Sequence, residues 1–331
     1  MSRFTFYTPE KMALARLTFS QLVISGPDDG DKFFEAFCPG NTTEIIDRPF
    51  ERFEDYEMFL RTIKNDDQDK YVVIHKGTPL YYLAWIAFDL RNYEKAVFYM
   101  DAAISEDMRK DPQNWLNNPG SQFLTLNHQG NQVAIRVTKQ LTEKISEEVS
   151  RFNAISSLPR ILDEDFVNKF VKVLVNKKEN HSIITALYSY ILEFEDRGNE
   201  LSLRGTEGGS IESALTLLFK GGLIFESLLK YLYPTKDNNK TKCNTLDDIF
   251  KTNKFKTDFP GSVKTNASSL QEIINATNNS LQSAFDTASK LRNTTGHNLV
   301  WDDVFNNTNN FKKLCEHQLN AIFYLIHKKF L

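Results

Sequence analysis

Apolar residues recur in steps of three and four along four stretches of the C-terminal half of this chain. Only helices with one buried face satisfy that period. Ile184, Leu187, Ile191 and Phe194 form the first stripe, and Ile211, Leu215, Leu218, Gly222, Phe225, Leu229 and Leu232 the second. Leu270, Ile274, Thr277, Leu281, Ala284, Ala288 and Leu291 form the third. Phe311, Leu314, Gln318, Ile322 and Ile326 form the fourth, with Gln318 as its polar exception. Four such stripes predict an all-α fold with a C-terminal four-helix bundle. Gly222, within a stripe, would let a partner helix come close. Between the second and third stripes, residues 234–267 are polar and rich in Lys and Asn, which reads as a long surface excursion.

The N-terminal half is also helical by pattern. Thr8 can cap a first helix with Pro9 in its first turn, where the missing N–H costs nothing. Gly26-Pro27-Asp28-Asp29-Gly30 breaks the chain, and further helices are expected over Asp31–Phe37 and Glu51–Ile63. After Gly77-Thr78-Pro79, Leu80–Leu90 and Tyr93–Glu106 form a helical hairpin that turns at Arg91-Asn92. Leu83, Ile86 and Leu90 share one face; Ala96, Met100 and Ala103 share the other, and the alanines permit close approach. Asn117-Asn118-Pro119-Gly120 is another break. Residues 122–137 fit either a short hairpin across His128-Gln129-Gly130-Asn131 or a helix carrying Val133, Val137, Leu141, Ile145 and Val149. Asp163–Val175 reads as a linking helix. These elements divide the chain into a helical domain over residues 1–160 and a bundle domain over 161–331.

Composition narrows the classes of function. With 331 residues and a net charge of −3, the whole molecule is not an electrostatic magnet for nucleic acid, although Lys230 to Lys264 is locally basic. Cys38, Cys243 and Cys315 are isolated, so neither a disulfide framework nor a zinc site is expected, and a reducing, cytoplasmic compartment fits. No apolar run approaches a membrane span or a signal peptide core. HExxH, GxxxxGK[ST] and GxSxG patterns do not occur, which removes support for the common metalloprotease, P-loop and hydrolase chemistries.

The stretch with chemical potential closes the third stripe: Lys290-Leu291-Arg292-Asn293-Thr294-Thr295-Gly296-His297. In an unbroken helix Arg292 and His297 would diverge by ~140°. A helix ending near Thr294, with the chain turning at Gly296, can bring both side chains to one cleft. The imidazole titrates near neutral pH and can move protons. The guanidinium stays charged and can hold phosphate oxygens. Helix ends away from a stripe usually tolerate substitution within about 0.5 kcal/mol, so both positions should be replaceable without harm to the fold. His75, His128, His181, His317 and His327 lack such a setting and read as structural or solvent-facing.

Arg292-Asn293-x-x-x-His297, placed after the third helix of a four-helix block, resembles the RNxxxH signature of HEPN-domain ribonucleases over about residues 181–331. The resemblance implies a metal-independent endoribonuclease needing no cofactor, with Arg292, His297 and Asn293 as site residues and RNA as substrate. Asn293 would bond the phosphate or orient the imidazole. In that family two domains pair to complete one cleft, which implies a homodimer through the C-terminal domain. The family includes effectors of prokaryotic antiviral defence and toxins of toxin–antitoxin pairs, and both roles stay open. A non-catalytic helical module that binds a nucleotide or a protein is the alternative. Leu90, Asn92, Tyr93, Ala96, Tyr99, Ala103 and Asp111-Pro112 resemble the second half of a tetratricopeptide repeat. That resemblance implies a regulatory N-terminal domain that could receive a protein or nucleotide activator.

Overall fold

The computed structural model describes residues 7–38, 40, 42–127, 132–204, 211–237, 240–296 and 309–331. The fold is all-α. Among the described residues there is no strand, and an isolated bridge pairs Thr235 with Lys242. The chain divides into two compact units, Met1–Gln140 and Leu141–Leu331. The sequence pattern alone suggests a division near residue 160, in the loop that follows a long helix. Among the described residues no helix is long and apolar enough to cross a membrane.

The first unit holds α1 (Pro9–Gln21), α2 (Asp28–Phe37), α3 (Thr42–Asp47), α4 (Pro49–Asp66), α5 (Gln68–Val73), α6 (Gly77–Asp89), α7 (Tyr93–Lys110) and α8 (Pro119–Leu124). Thr8 caps α1 as expected, accepting the Lys11 amide at 3.2 Å. The break at Gly26 is shorter than the sequence suggests. Asp29 accepts the amides of Ser25 and Gly26, which fixes the turn and lets α2 begin at Asp28. Phe33 of α2 stacks on Phe59 of α4 at 5.9 Å and also meets Phe19 of α1, forming an aromatic centre. α6 and α7 are the expected antiparallel hairpin. Their turn places Arg91 at φ 56°, and the Asn92 amide reaches back to the Ala87 carbonyl at 2.9 Å, a helix-ending bond usually associated with glycine.

Residues 132–155 are helical (α9, Gln132–Ile155), so the helix alternative holds there; His128-Gln129-Gly130-Asn131 lie outside the described residues. The expected linker helix is present as α10 (Asp163–Asp165) and α11 (Lys172–Val175), joined by a wider π-type turn over Phe166–Val171.

The bundle consists of α12 (His181–Arg204), α13 (Glu212–Leu232), α17 (Leu281–Thr295) and α18 (Asn309–Phe330). α13 packs against the other three. The third stripe is not one helix. α16 (Leu270–Ala276) ends at Thr277, and Ser280 caps α17 by accepting the Ser283 amide, so turn-forming Asn278, Asn279 and Ser280 break the run. The polar exception Gln318 is fully buried and satisfied. Its amide donates to the Leu218 carbonyl at 2.7 Å, and its carbonyl accepts from Tyr190 at 2.6 Å. Gly221 makes room for this pair, since a Cβ there would lie 2.4 Å from the Gln318 oxygen.

Residues 234–267 are less external than their composition suggests. They contain α14 (Leu246–Phe250) and α15 (Asn253–Asp258), and Phe250, Phe255 and Phe259 are buried there. Phe259 lies 4.9 Å from Phe285 of α17, so the excursion is anchored against the bundle by aromatic side chains scattered among its lysines.

Candidate functional site

α17 carries Arg292 and Asn293 in its last turn and ends at Thr295, with Gly296 as its C-cap. The helix thus ends one residue beyond Thr294, close to where the residue types suggest. His297 lies outside the described residues. Gly222 of α13 faces the Arg292 backbone; a Cβ on it would come within 2.8 Å of the Arg292 Cα. The stripe glycine thus sets the approach of α13 to the candidate site.

Close approach places Arg292 beside an acid that the sequence pattern did not single out. Arg292 Nε donates to Glu226 Oε2, and Lys230 Nζ sits 2.7 Å from Glu226 Oε1. The Glu226 side chain is 4% exposed, against 29% for Arg292. Two cations around one buried carboxylate leave this spot net positive. A guanidinium has five N–H donors, so a bond through Nε fixes its orientation and leaves donors for a phosphate. The local dipole also favours a cation at a helix C-terminus.

Asn293 points elsewhere. Its amide nitrogen donates to the Thr265 carbonyl at 3.0 Å, tying the end of α17 to the segment before α16. Of the lysines in the basic stretch, Lys236 pairs with Asp248 at 2.8 Å and Lys251 with Asp247. Two of the eight lysines between Lys230 and Lys264 are thereby matched within the stretch.

The remaining histidines divide. His181 bonds the Val175 carbonyl at 2.8 Å, and His317 is buried on α18. Burial, then the charges of Lys313 and Arg151, push the His317 pKa down to about 4, so it stays neutral near pH 7. Both are buried.

His75, in the first unit, is different. It is 4% exposed and sits between two carboxylates, with Nδ1 2.5 Å from Asp31 and Nε2 3.0 Å from Asp107. Lys110 joins Asp31 as well and lies 3.0 Å from Asp28. Burial opposes the charge on His75. The hydrogen bonds and negative charges of Asp107 and Asp31 outweigh it, and the pKa rises from 6.5 to about 9. At neutral pH the ring is an imidazolium donating from both nitrogens. Gly77 makes this possible: a Cβ there would lie 2.5 Å from Asp107 Oδ1 and 2.6 Å from His75 Nε2.

A stability change with pH follows. Because the folded pKa lies above the unfolded one, the cluster contributes fully below about pH 6.5 and loses its contribution as pH rises through about 9. The loss is on the order of 3 kcal/mol. Denaturant midpoints for the wild type should fall between pH 7 and 10 more steeply than those of His75→Gln. Parallel slopes would mean that His75 is not charged in the folded protein.

No family model, curated protein or solved structure matches the chain.

Proposed function

We propose that the second unit is a HEPN-type endoribonuclease that cleaves RNA by internal attack, with Arg292 and His297 as its catalytic pair. The observation that supports it most is the anchoring of Arg292. A buried carboxylate holds the guanidinium at a helix end, five positions before the histidine of the signature. Such preorganised positive charge stabilises a phosphorane without reorganisation at the moment of reaction.

The chemistry is internal transesterification. The 2′-OH loses its proton to a base as its oxygen bonds phosphorus, and the P–O5′ bond breaks. The leaving 5′-oxygen takes a proton, which yields a 2′,3′-cyclic phosphate and a 5′-OH. His297 serves as base or acid, and Arg292 carries the charge on the non-bridging oxygens. The Asn293–Thr265 bond favours a positioning role for Asn293, holding the segment beside α17, over the phosphate contact suggested by residue type. Each chain supplies one such set, so the active species is a homodimer through the second unit. An effector role in prokaryotic antiviral defence, controlled through the first unit, fits this chemistry.

A second reading rests on the same ion pair. If Glu226 keeps the guanidinium from substrate, the domain binds without cutting. Incubating the purified chain with end-labelled RNA in EDTA separates the two. Cleavage proportional to the dimer fraction, with matched DNA left whole, supports the nuclease. Binding without cleavage at any concentration supports the module.

A further inference from the structure

Arg292 shares Glu226 with a second cation. Lys230, one turn further along α13, holds the other carboxylate oxygen at 2.7 Å. Two cations therefore stand side by side on one buried acid. The Lys230 side chain is 40% exposed, and Glu226 is its partner among the described residues. An ammonium has three N–H donors, so Lys230 keeps two for a ligand at the surface.

Positive charge continues at the end of the same helix. Lys254 of α15 donates to the carbonyl of Leu232, the last residue of α13, at 3.4 Å. Its ammonium lies 5.4 Å from the centre of the Tyr233 ring. A carbonyl and an aromatic face orient a cation but leave its net charge in place. Lys254 is exposed, and among the described residues no carboxylate pairs with it. The nearby Asp258 is taken by Lys329. Lys254 thus differs from Lys236 and Lys251, which Asp248 and Asp247 neutralise.

Arg292, Lys230 and Lys254 follow the C-terminal part of α13 in that order, three cations against the one carboxylate of Glu226. Glu226 to Leu232 is about 9 Å of helix axis, long enough for successive phosphates rather than a single one. The cations form one row, which suits one strand; a duplex presents two rows of phosphates.

We infer that this row is the path of the substrate strand beside the cleavage site. Lys230 holds the phosphate next to the one on Arg292, and Lys254 the one beyond. The identity of the strand as RNA rests on the nuclease reading; the row of cations does not.

Fluorescence anisotropy of the full chain with a labelled single strand of 2′-O-methyl RNA tests it, because that strand lacks the internal nucleophile and stays whole. Lys230→Gln and Lys254→Gln should each weaken binding by roughly tenfold, the loss of one charge-assisted hydrogen bond. Each should also flatten the plot of log Kd against log salt by about 0.7, the value for one phosphate contact on a single strand. A lysine that only supports the fold would lower the denaturation midpoint and leave that slope alone. Lys230→Arg should restore the slope. Lys251→Gln, which removes a cation already paired with Asp247, should leave it unchanged. Lys254→Gln does not touch Glu226, so it stays readable if Lys230→Gln folds poorly. No binding by the wild type, unchanged slopes in both Gln variants, or an equal loss in Lys251→Gln would overturn the inference. Cleavage of ordinary RNA is scored separately. Cleavage with unchanged slopes keeps the nuclease and sinks the row, whereas flattened slopes without cleavage keep the row and sink the nuclease.

Discussion

Arg292→Ala and His297→Ala should each slow RNA cleavage by roughly 10²–10⁴-fold, the usual loss when positioned acid–base or charge-stabilising groups are removed. The two variants should differ in stability. The sequence suggests that both positions tolerate replacement, but Arg292 packs on Gly222 and neutralises a carboxylate that is 4% exposed. Its removal leaves Glu226 with Lys230 alone, and breaking a buried pair from one side can cost about 3–5 kcal/mol. The surviving Lys230 contact at 2.7 Å should hold the cost toward the low end of that range. Arg292→Ala with Glu226→Gln removes the stranded charge, so this double variant should recover stability but not activity. Glu226→Gln alone keeps the guanidinium but loosens its anchor, and should lower kcat more than it raises KM. Urea denaturation and initial rates on one RNA, measured in parallel, separate these effects. A fully stable Arg292→Ala would contradict the ion pair, and an active double variant would contradict the catalytic assignment.

The largest stability loss should come from the first unit. His75→Leu removes the imidazolium that Asp31 and Asp107 share and leaves Asp107 buried without its partner. The expected cost is about 3–5 kcal/mol at pH 7, read as a lower denaturant midpoint. Gly77→Ala should also destabilise, because its Cβ would enter the space between His75 and Asp107. Asp107→Asn should be milder, since an amide oxygen can still accept from the ring. Equal stability of His75→Leu and wild type at pH 7 would show that the cluster contributes nothing net.

The two clusters mark where sequence pattern is informative and where it stops. The second and fourth stripes correspond to single helices, the fourth because its polar exception, Gln318, finds both its hydrogen bonds inside the bundle. The third does not, since its period runs unbroken through Thr277 while local turn chemistry at Asn278-Asn279-Ser280 wins. Aromatic residues in the basic stretch carried the signal that it packs: Phe250, Phe255 and Phe259 are too large to leave in solvent at no cost. Arg292 was visible as a motif, whereas its partner Glu226 lies 66 positions away and pairs only because α13 and α17 pack. His75 meets Asp31 and Asp107 across 44 and 32 positions, beyond any local period. One trace was legible. Asp107 continues the Ala96, Met100, Ala103 stripe of α7, and an acid at an inward position calls for a buried cation.

End-group analysis of RNA cleaved in EDTA tests the central claim most directly. The account predicts 2′,3′-cyclic phosphate or 3′-phosphate ends, 5′-OH ends, intact DNA and, from His297→Ala, products formed roughly 10²–10⁴-fold more slowly. Cleavage that requires Mg²⁺, leaves 5′-phosphates, or persists when both Arg292 and His297 are replaced would contradict it.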